Sequence, residues 1–345
     1  MESFPSFGII IPEILLRGVV REVKTTMKDV AALAGVGVGT VSRVINGVKV
    51  KEVTKEKVMA AISELNYEPD EYARGMKTNS SNTIALILPT IWHPFFSEFA
   101  YYVEEALSQK NYKLFLCNAN GSAEKEKEYI QMVKQSKVDG IIGITYSDID
   151  KYVSSNLPFV SIDRHFSEQV SYVTADNYLG GQIAAQELLT RNCKNLCYVG
   201  GVSPYPNETN NRKAGFYNIC KENKIAVKVL DMPEPISNLE EQLLAFFSDN
   251  PEIDSIFTIN DFMALDVIKA QKKLGKEAPK DFQIIGFDGV KLSLQKDYLL
   301  STIVQPIEEM AKVSVETLMA MILNEEPPKR VVVPVFFHAG ETTKE

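Results

Sequence analysis

The chain has few of the residues that carry metal or redox chemistry. Its 345 residues include four cysteines and three histidines, and the cysteines form no CxxC pair. Cys193 and Cys197 are four apart, but no second cysteine or histidine pair lies near them in sequence. The cysteines are Cys117, Cys193, Cys197 and Cys220. We expect them to be reduced core thiols of a cytoplasmic protein, and we predict no metal site and no cofactor.

Catalytic signatures are missing as well. The sequence contains neither a GxSxG nucleophile motif nor a P-loop, and the pair Gly180-Gly181 alone is too weak a signal for a nucleotide site. A sugar-metabolising enzyme on an α/β fold would need a catalytic constellation that this chain does not show. We therefore predict no catalytic residues and no enzyme activity.

Long apolar segments are absent too. No run of about twenty apolar residues exists, so we predict no membrane-spanning helix. The stretch FGIIIPEILLRGVV near the start follows no basic residue and is interrupted by Pro12 and Glu13, which argues against a signal peptide. We interpret residues 1–24 as an extension outside the functional fold.

Positively charged residues are fewer than negatively charged ones. Lysine and arginine number 37 against 45 aspartates and glutamates, which gives a formal net charge of -8. Bulk attraction to nucleic acid or to an anionic membrane is therefore not supported, and any nucleic-acid site must be local. The length predicts two or three domains, and 45% hydrophobic with 24% charged residues is ordinary for a globular protein.

One local candidate lies at residues 27–47, MKDVAALAGVGVGTVSRVING. Apolar residues recur at helical spacing on both sides of Gly35, Gly37 and Gly39, although each glycine inside a helix costs about 1 kcal/mol. The pattern predicts two short helices, 27–34 and 38–45, joined by a glycine turn. A small shared core is expected from Val30, Ala34, Val36, Val41 and Val44, with a third helix at 54–66. This is a helix-turn-helix, although an ordinary helical hairpin fits the pattern alone.

The order of residues in this region carries a family resemblance. DVAALAGVGVGTVSRVING, followed by VTKEKVMAAISELNYEPDEYARGMKT, resembles the headpiece and hinge of the LacI/GalR transcription repressors. The resemblance implies a DNA-binding domain at 25–68 and a hinge helix with linker at 69–82. It also implies that Val38, Gly39 and Arg43 read bases, while Thr40, Ser42 and Asn46 position the DNA backbone.

Two positions depart from the family pattern. Gly37 replaces the usual serine, and Gly39 has no side chain with which to read a base. In the hinge, Met76 stands where the family inserts a leucine wedge into the minor groove, and Ala73 is small where two hinge helices pack in a dimer. A plain linker is the alternative for 70–78.

From residue 83 onward, short apolar runs alternate with amphipathic helical patterns, which predicts βαβ units and parallel sheets. About 260 residues are long for one sheet, so we expect two α/β subdomains with a cleft at the carboxyl ends of their strands. Strands are predicted at 84–88, 113–117, 140–144, 159–162, 196–199, 255–258 and 283–286. Helices are predicted at 96–109, 124–136, 177–190 and 261–274.

The family resemblance continues through this region and covers about residues 25–342. HPFFSEF, VDGII, FVSIDR, ADNYLGGQIAAQELL, NETNNRKAGF, TINDFMA and IIGFDG follow one another in the family's order. The resemblance implies a periplasmic-binding-protein-like core at 83–345, built from two doubly wound α/β subdomains that the chain crosses three times. We place the crossings near 162–164, 289–293 and 324–329. The N subdomain is then 83–162 and 291–323, and the C subdomain is 163–290 and 330–345.

The resemblance also implies a pocket for a small polar effector, commonly a sugar or a purine. The residues carried over to this chain are Phe95, Phe96, Asp148, Arg212, Asn260 and Asp288. Carboxylates and amides suit vicinal hydroxyls, rings cover an apolar sugar face, and Arg212 equally suits a phosphate. Phe95 and Phe96 alone also fit a core role. ADNYLGG, RKAGF and GFDG are more similar to sucrose-type repressors than to purine ones.

Together these features predict a dimeric, sequence-specific DNA-binding repressor. We expect it to bind a pseudo-palindromic operator, and we expect a sugar or sugar phosphate to control its operator affinity. The C-terminal PVFFHAGETTKE has no heptad pattern, so we expect a homodimer rather than a tail-linked tetramer. The alternatives are a solute-binding protein for transport and a regulator that responds to a non-sugar ligand such as a purine.

Overall fold

A computed structural model of the chain describes residues 25–68, 80–135, 137–153, 157–166 and 170–345. It divides into two units, which within the described residues are 25–68 and 80–345. The predictions for the extension 1–24 and for the hinge, including Ala73 and Met76, lie outside the described residues.

The first unit is a bundle of three helices: α1 (Met27–Ala34), α2 (Val38–Ile45) and α3 (Glu52–Glu64). The predicted bounds of α1 and α2 are confirmed, whereas α3 starts and ends two residues before its predicted bounds. Gly35 closes α1 in the left-handed region at a φ of 64°, and its N–H donates to the carbonyl oxygens of Ala31 and Ala32. The glycine that breaks the pattern in the sequence is therefore the end of a helix.

The three helices enclose a small apolar core. Its buried members are Val30, Ala31, Ala34, Val41, Val58, Ala61 and Tyr67. Val36 and Val44 pack against this core while remaining partly exposed, so the predicted core is confirmed in its composition. Because Val41 is the only fully buried residue of α2 in this unit, most of that helix stays available to a partner.

The second unit contains two six-stranded sheets. The first has the order β11-β5-β4-β3-β1-β2, and all its neighbouring strands are parallel. Its strands are β1 (Thr83–Leu88), β2 (Lys113–Asn118), β3 (Gly140–Gly143), β4 (Phe159–Ile162), β5 (Ser171–Ala175) and β11 (Arg330–Val333). The helices α4 (Pro94–Ser108), α5 (Ala123–Lys134) and α10 (Ile307–Ile322) belong to this part of the chain.

The second sheet has the order β12-β10-β9-β8-β6-β7, with only the edge strand β12 antiparallel. Its strands are β6 (Leu196–Val202), β7 (Val227–Pro233), β8 (Ser255–Thr258), β9 (Gln283–Asp288), β10 (Thr302–Val304) and β12 (Phe336–His338). Its helices are α6 (Asn177–Thr190), α7 (Asn210–Glu222), α8 (Leu239–Asp249) and α9 (Asp261–Lys273). All seven predicted strands and all four predicted helices are present, with small shifts at their ends.

The predicted crossings between the subdomains are wrong. β5 lies in the first sheet, so the first crossing follows Ala175 rather than 162–164. β10 lies in the second sheet, so the second crossing precedes α10 rather than falling at 289–293. β11 lies in the first sheet, so the third crossing falls between β11 and β12 rather than at 324–329. These three strands are short, and β5 and β11 pair across more than 150 residues, so a local pattern does not show which sheet each strand joins.

Two glycines let α6 and α7 approach closely. A Cβ at Gly181 would collide with the carbonyl oxygen of Arg212, and a Cβ at Gly215 would collide with the carbonyl oxygen of Tyr178. Gly181, part of the Gly180-Gly181 pair that was too weak a signal for a nucleotide site, therefore has a packing role. The close approach fixes the first turn of α7 against the start of α6.

Replacing Gly215 with alanine should destabilise the second unit, because the added methyl meets helix backbone that cannot move aside alone. We expect a loss of about 1–3 kcal/mol in the free energy of unfolding, measured by urea denaturation. Gly39→Ala is the control, because that helical glycine has open space around it and should gain up to about 1 kcal/mol. Equal effects of the two substitutions would contradict the packing role.

A buried carboxyl on α5 makes the stability of the second unit depend on pH. Glu126 is buried, its Oε2 has no hydrogen-bond partner among the described residues, and burial raises its pKa from 4.5 to about 7. The folded state therefore binds this proton more tightly than the unfolded state does. Stability from this group is present below pH 4.5 and is lost as the pH rises towards 7.

Replacing Glu126 with glutamine should remove that loss. At pH 8 the variant should be more stable than the parent by up to about 3 kcal/mol, and at pH 4.5 the two should be similar. Chemical denaturation at both pH values measures the difference. Glu128→Gln, at an exposed position of the same helix, is the control and should change little. A lower stability of Glu126→Gln at pH 8 would refute the assignment.

Candidate functional site

The exposed face of α2 is the candidate nucleic-acid interface in the first unit. Val38, Gly39, Arg43 and Asn46 are exposed, and Thr40 and Ser42 are half-buried. The Asn46 amide donates to the Ser42 hydroxyl at 3.3 Å, which orders the C-terminal end of this face. Arg43 makes no ion pair with any described residue, so its guanidinium is available to an acceptor on a partner. The base-reading roles of these residues stay predictions.

The candidate effector site is a cavity of 220 Å³ between the two sheets of the second unit, named here the inner cavity. Its walls come from segments that follow the carboxyl ends of strands in both sheets, as an open α/β sheet predicts. The lining residues are His93, Phe95, Phe96, Tyr146, Asp163, Asn207, Thr209, Arg212, Glu234, Ile259, Asn260, Asp288 and Gln305.

Arg212, on the first turn of α7, is the most firmly held side chain of this cavity. Its Nε donates to Asn177 Oδ1 at 2.7 Å, and its Nη1 donates to the carbonyl oxygen of Ile259 at 2.6 Å. Nη1 also lies 3.3 Å from Asp288 Oδ1, and the guanidinium stacks 3.7 Å from the centre of the Phe287 ring. No acceptor among the described residues pairs with Nη2, so a preorganised donor remains for a ligand.

Two buried aspartates flank this arginine. Asp163 accepts from the Thr174 hydroxyl at 2.6 Å, and burial raises the pKa of its carboxyl although Arg212 opposes the shift. Asp288 accepts from Gln305 Nε2 at 2.8 Å and has a φ of 115°, a strained backbone for a non-glycine residue. Gln305 Oε1 is buried without a partner among the described residues, which leaves one more acceptor in the wall.

The rings of His93 and Phe96, beside the first sheet, form another part of the wall. The His93 ring lies 5.2 Å from that of Phe96 and 4.6 Å from that of Phe262 on α9. His93 also caps α4, because its Nδ1 accepts from the Phe95 N–H at 3.3 Å. Burial lowers the pKa of His93, which favours the neutral imidazole. The His93 and Phe96 rings offer an apolar surface to the cavity, and the contact of His93 with Phe262 reaches the second subdomain.

Asn260 both caps a helix and lines the inner cavity. Its Oδ1 accepts from the Met263 N–H at 2.8 Å and so caps α9. Its Nδ2 makes no hydrogen bond to a described residue, and the side chain lines the inner cavity. The cap therefore fixes the carbonyl end of the amide and leaves the amino end without a partner among the described residues.

The structure brings together five of the six predicted effector residues: Phe95, Phe96, Arg212, Asn260 and Asp288. Phe95 also belongs to the hydrophobic core, so its core role is confirmed beside its place in the wall. Asp148 is exposed and lines neither this cavity nor its neighbours. The prediction that Asp148 lies in the pocket is therefore wrong.

Contacts with Arg164 hold the loop that carries Asp148. This buried guanidinium pairs with Asp150 Oδ1 at 2.6 Å and donates to the carbonyl oxygen of Ser147 at 2.5 Å. The loop then turns Tyr146, rather than Asp148, towards the cleft. Several lining residues were missed by the sequence pattern: Asp163, Asn207, Thr209, Glu234 and Gln305. A polar residue directly after each strand end is the signal that finds Asp163 in FVSIDR.

The inner cavity carries more negative than positive groups. Of the described residues, Asp163, Glu234 and Asp288 line it together with one cation, Arg212. Partial burial raises the pKa of Glu234. An anionic ligand would meet three carboxyl groups, whereas a neutral polyol finds acceptors, one strong donor and ring faces. The arrangement therefore favours a neutral, hydroxyl-rich ligand over a phosphate.

The described residues contain neither a membrane-spanning helix nor a cluster placed to hold a metal ion. No helix among them has the length and apolar character needed to cross a membrane. No group of histidine, cysteine, aspartate and glutamate side chains in the described ranges is placed to hold a metal ion. All four cysteines lie within these ranges, and each is a buried free thiol.

Two family models match the chain, one in each of its two units. Residues 26–70 match the family described as bacterial regulatory proteins, lacI family, and residues 84–326 match the periplasmic binding protein domain. The chain is 36% identical to the ribose operon repressor of Halalkalibacterium halodurans, over 93% of this chain and 97% of that protein. It is 32% identical to the sucrose operon repressor of Streptococcus mutans, over 92% and 98% of the two chains.

A solved structure is also similar to this chain. It is a periplasmic binding protein/LacI transcriptional regulator from Alkaliphilus metalliredigens, complexed with D-xylulofuranose. The identity is 30% and the TM-score 0.68, over 76% of this chain and 100% of that one.

Proposed function

The chain belongs to the lacI family of bacterial regulatory proteins and is a DNA-binding transcription repressor; from this premise we propose that a neutral sugar held in the inner cavity controls its affinity for operator DNA. One observation carries the proposal. Arg212, Asp163 and Asp288 converge with the His93 and Phe96 rings in one cavity between the two sheets.

The size and chemistry of the cavity support a sugar. Its volume of 220 Å³ lies below the ~300–1,000 Å³ of sites for drug-sized ligands, so it suits a single sugar unit. Carboxylates and amides bind vicinal hydroxyls, and ring faces cover the apolar side of a sugar. Relatives named for ribose and sucrose operons and the D-xylulofuranose complex point the same way.

The position of the cavity supports a role for the ligand in controlling the conformation of the protein. A ligand there touches His93 and Phe96 beside the first sheet and Arg212 and Asp288 beside the second. Its binding free energy therefore depends on the relative placement of the two subdomains, which three connecting segments join. Such a differential affinity is what a ligand needs to shift a protein between two conformations.

The DNA-binding side of the proposal needs two copies. One helix-turn-helix reads only a few base pairs, so a homodimer on a pseudo-palindromic operator gives adequate specificity. We expect Val38 and Arg43 of each copy to contact base edges, with Thr40, Ser42 and Asn46 on the phosphates. We further expect the sugar to release the repressor from DNA, and we expect no turnover of the sugar.

A thermal-shift screen tests the proposal directly. The full chain is heated with pentoses, hexoses, sugar phosphates and purines in turn. A sugar at 100 times its dissociation constant should add about 2.7 kcal/mol of stability to the folded protein. Stabilisation by neutral sugars, and not by their phosphates, supports the proposal. Stabilisation by purines alone would replace it with the purine-responsive alternative.

A further inference from the structure

A second cavity adjoins the inner one and has no part in the function argued above. It measures 620 Å³ and is named here the outer cavity. Its walls are the loop before α5 at 120–124, the loop at 146–147, and the segments 203–205 and 234–235. Tyr146 and Glu234 line both cavities, so the two spaces meet at these side chains.

We propose that the effector is a neutral disaccharide. One sugar unit occupies the inner cavity, the second occupies the outer cavity, and the glycosidic linkage passes between Tyr146 and Glu234. This inference rests on the proposed control by a sugar and adds the class of sugar to it.

The walls of the outer cavity have the chemistry of a sugar subsite. Tyr146 and Tyr205 supply aromatic rings, and Pro204 and Pro235 supply further apolar surface, on which the C–H face of a sugar packs. Neutral hydrogen-bonding groups for hydroxyls are present beside these rings. They come from Asn120, Ser122 and Ser203.

Charge excludes a phosphate as the second group. Among the described residues that line the outer cavity, Glu124 and Glu234 are acidic and none is lysine or arginine. The Glu234 carboxyl makes no side-chain hydrogen bond within the described part of the chain, so it can accept from a sugar hydroxyl. A phosphorylated sugar would place its anion against two carboxylates with no compensating cation.

Size separates a disaccharide from a monosaccharide. The inner cavity of 220 Å³ accommodates one sugar unit, and the outer cavity of 620 Å³ is the larger of the two. A single sugar would leave the larger, aromatic-lined space to water. A second unit joined to the first gains its contacts without paying again for loss of free rotation and translation.

Isothermal titration calorimetry of the full chain tests the inference. The probes are D-ribose, D-glucose, D-fructose and D-galactose, and then sucrose, maltose, cellobiose and lactose. We expect one disaccharide to bind about tenfold or more tightly than either of its component monosaccharides. Tyr205→Ala should abolish that advantage while leaving the monosaccharide affinity unchanged, because Tyr205 lines the outer cavity alone.

Two further variants complete the test. Ser203→Trp should fill the outer cavity and weaken the disaccharide to the level of the monosaccharide. Tyr217→Ala, at an exposed tyrosine on α7 that lines neither cavity, is the matched control and should change neither affinity. An unchanged monosaccharide affinity shows that each variant has folded.

Other results would overturn the inference. A monosaccharide that binds as tightly as every disaccharide would refute it while leaving control by a sugar intact. Equal weakening of both ligands by Tyr205→Ala would also refute it. Absence of binding by any sugar would instead overturn the proposed function itself, and the inference with it.

Discussion

Replacing Arg212 with methionine should abolish detectable sugar binding in calorimetry. The substitution removes the one cation that lines the inner cavity among the described residues, and it leaves the Asp288 carboxylate without its guanidinium partner. Breaking such a buried pair from one side typically costs about 3–5 kcal/mol, so the melting temperature of the second unit should also fall. Operator binding at low temperature should persist, because α2 is in the other unit.

Arg164→Met is the matched control for this substitution. Arg164 is also buried, also pairs with a carboxylate and also lies over an aromatic ring, that of Phe166 at 4.6 Å. It does not line the inner cavity. Its loss should lower the melting temperature and, because Arg164 holds the loop that carries Tyr146, should weaken sugar binding without abolishing it. If both variants bind the sugar, or if both lose it, Arg212 does not have the direct role assigned to it.

Replacing Arg43 with alanine should weaken operator binding by about 1–3 kcal/mol and relax the preference at one base pair of each half-site. The reason is that an unpaired, exposed guanidinium on α2 can donate two hydrogen bonds to a guanine edge. Titration of the parent and the variant against operators that differ at single positions measures both effects. The salt concentration must be held constant, because phosphate contacts make affinity depend on it.

Lys28→Ala provides the comparison for Arg43. Lys28 is an exposed cation on α1 rather than on α2. Its removal should change the affinity for all operator sequences alike, or not at all, and should leave the base preference intact. An Arg43→Ala variant with an unchanged base preference would show that the register assigned to α2 is wrong.

Local signals explain why the helical unit was predicted well. The end of α1 is marked by Gly35, since glycine adopts at little cost the left-handed conformation that closes a helix. The apolar spacing on both sides then fixes which faces of α1 and α2 are buried. These causes lie within a few residues of each other, so a single sequence contains them.

The subdomain boundaries depend on causes that lie far apart. β5 pairs with β4 and with β11, and β11 is more than 150 residues further along the chain. Nothing near Ser171–Ala175 states which sheet the strand will join. The crossings were therefore misplaced, although the fold class itself is confirmed.

Only part of the effector site was predicted, because some of its residues also depend on features that a local pattern does not show. Arg212 and Asp288 lie in long motifs with a recognisable order, whereas Glu234 and Gln305 follow β7 and β10, strands that the pattern did not show. Asp148 was misassigned because its loop direction is set by Arg164, a contact from 16 residues away that no spacing rule expresses.

The coupling between sugar and operator tests the central claim most directly. An operator selected from random pseudo-palindromic DNA is titrated with the full chain by fluorescence anisotropy, with and without the saturating sugar found in the screen. A coupling of about 1–3 kcal/mol would weaken operator binding roughly 5–150-fold, and operator-bound protein must bind the sugar more weakly by the same factor. An operator affinity that stays the same while the sugar occupies the inner cavity would contradict the account.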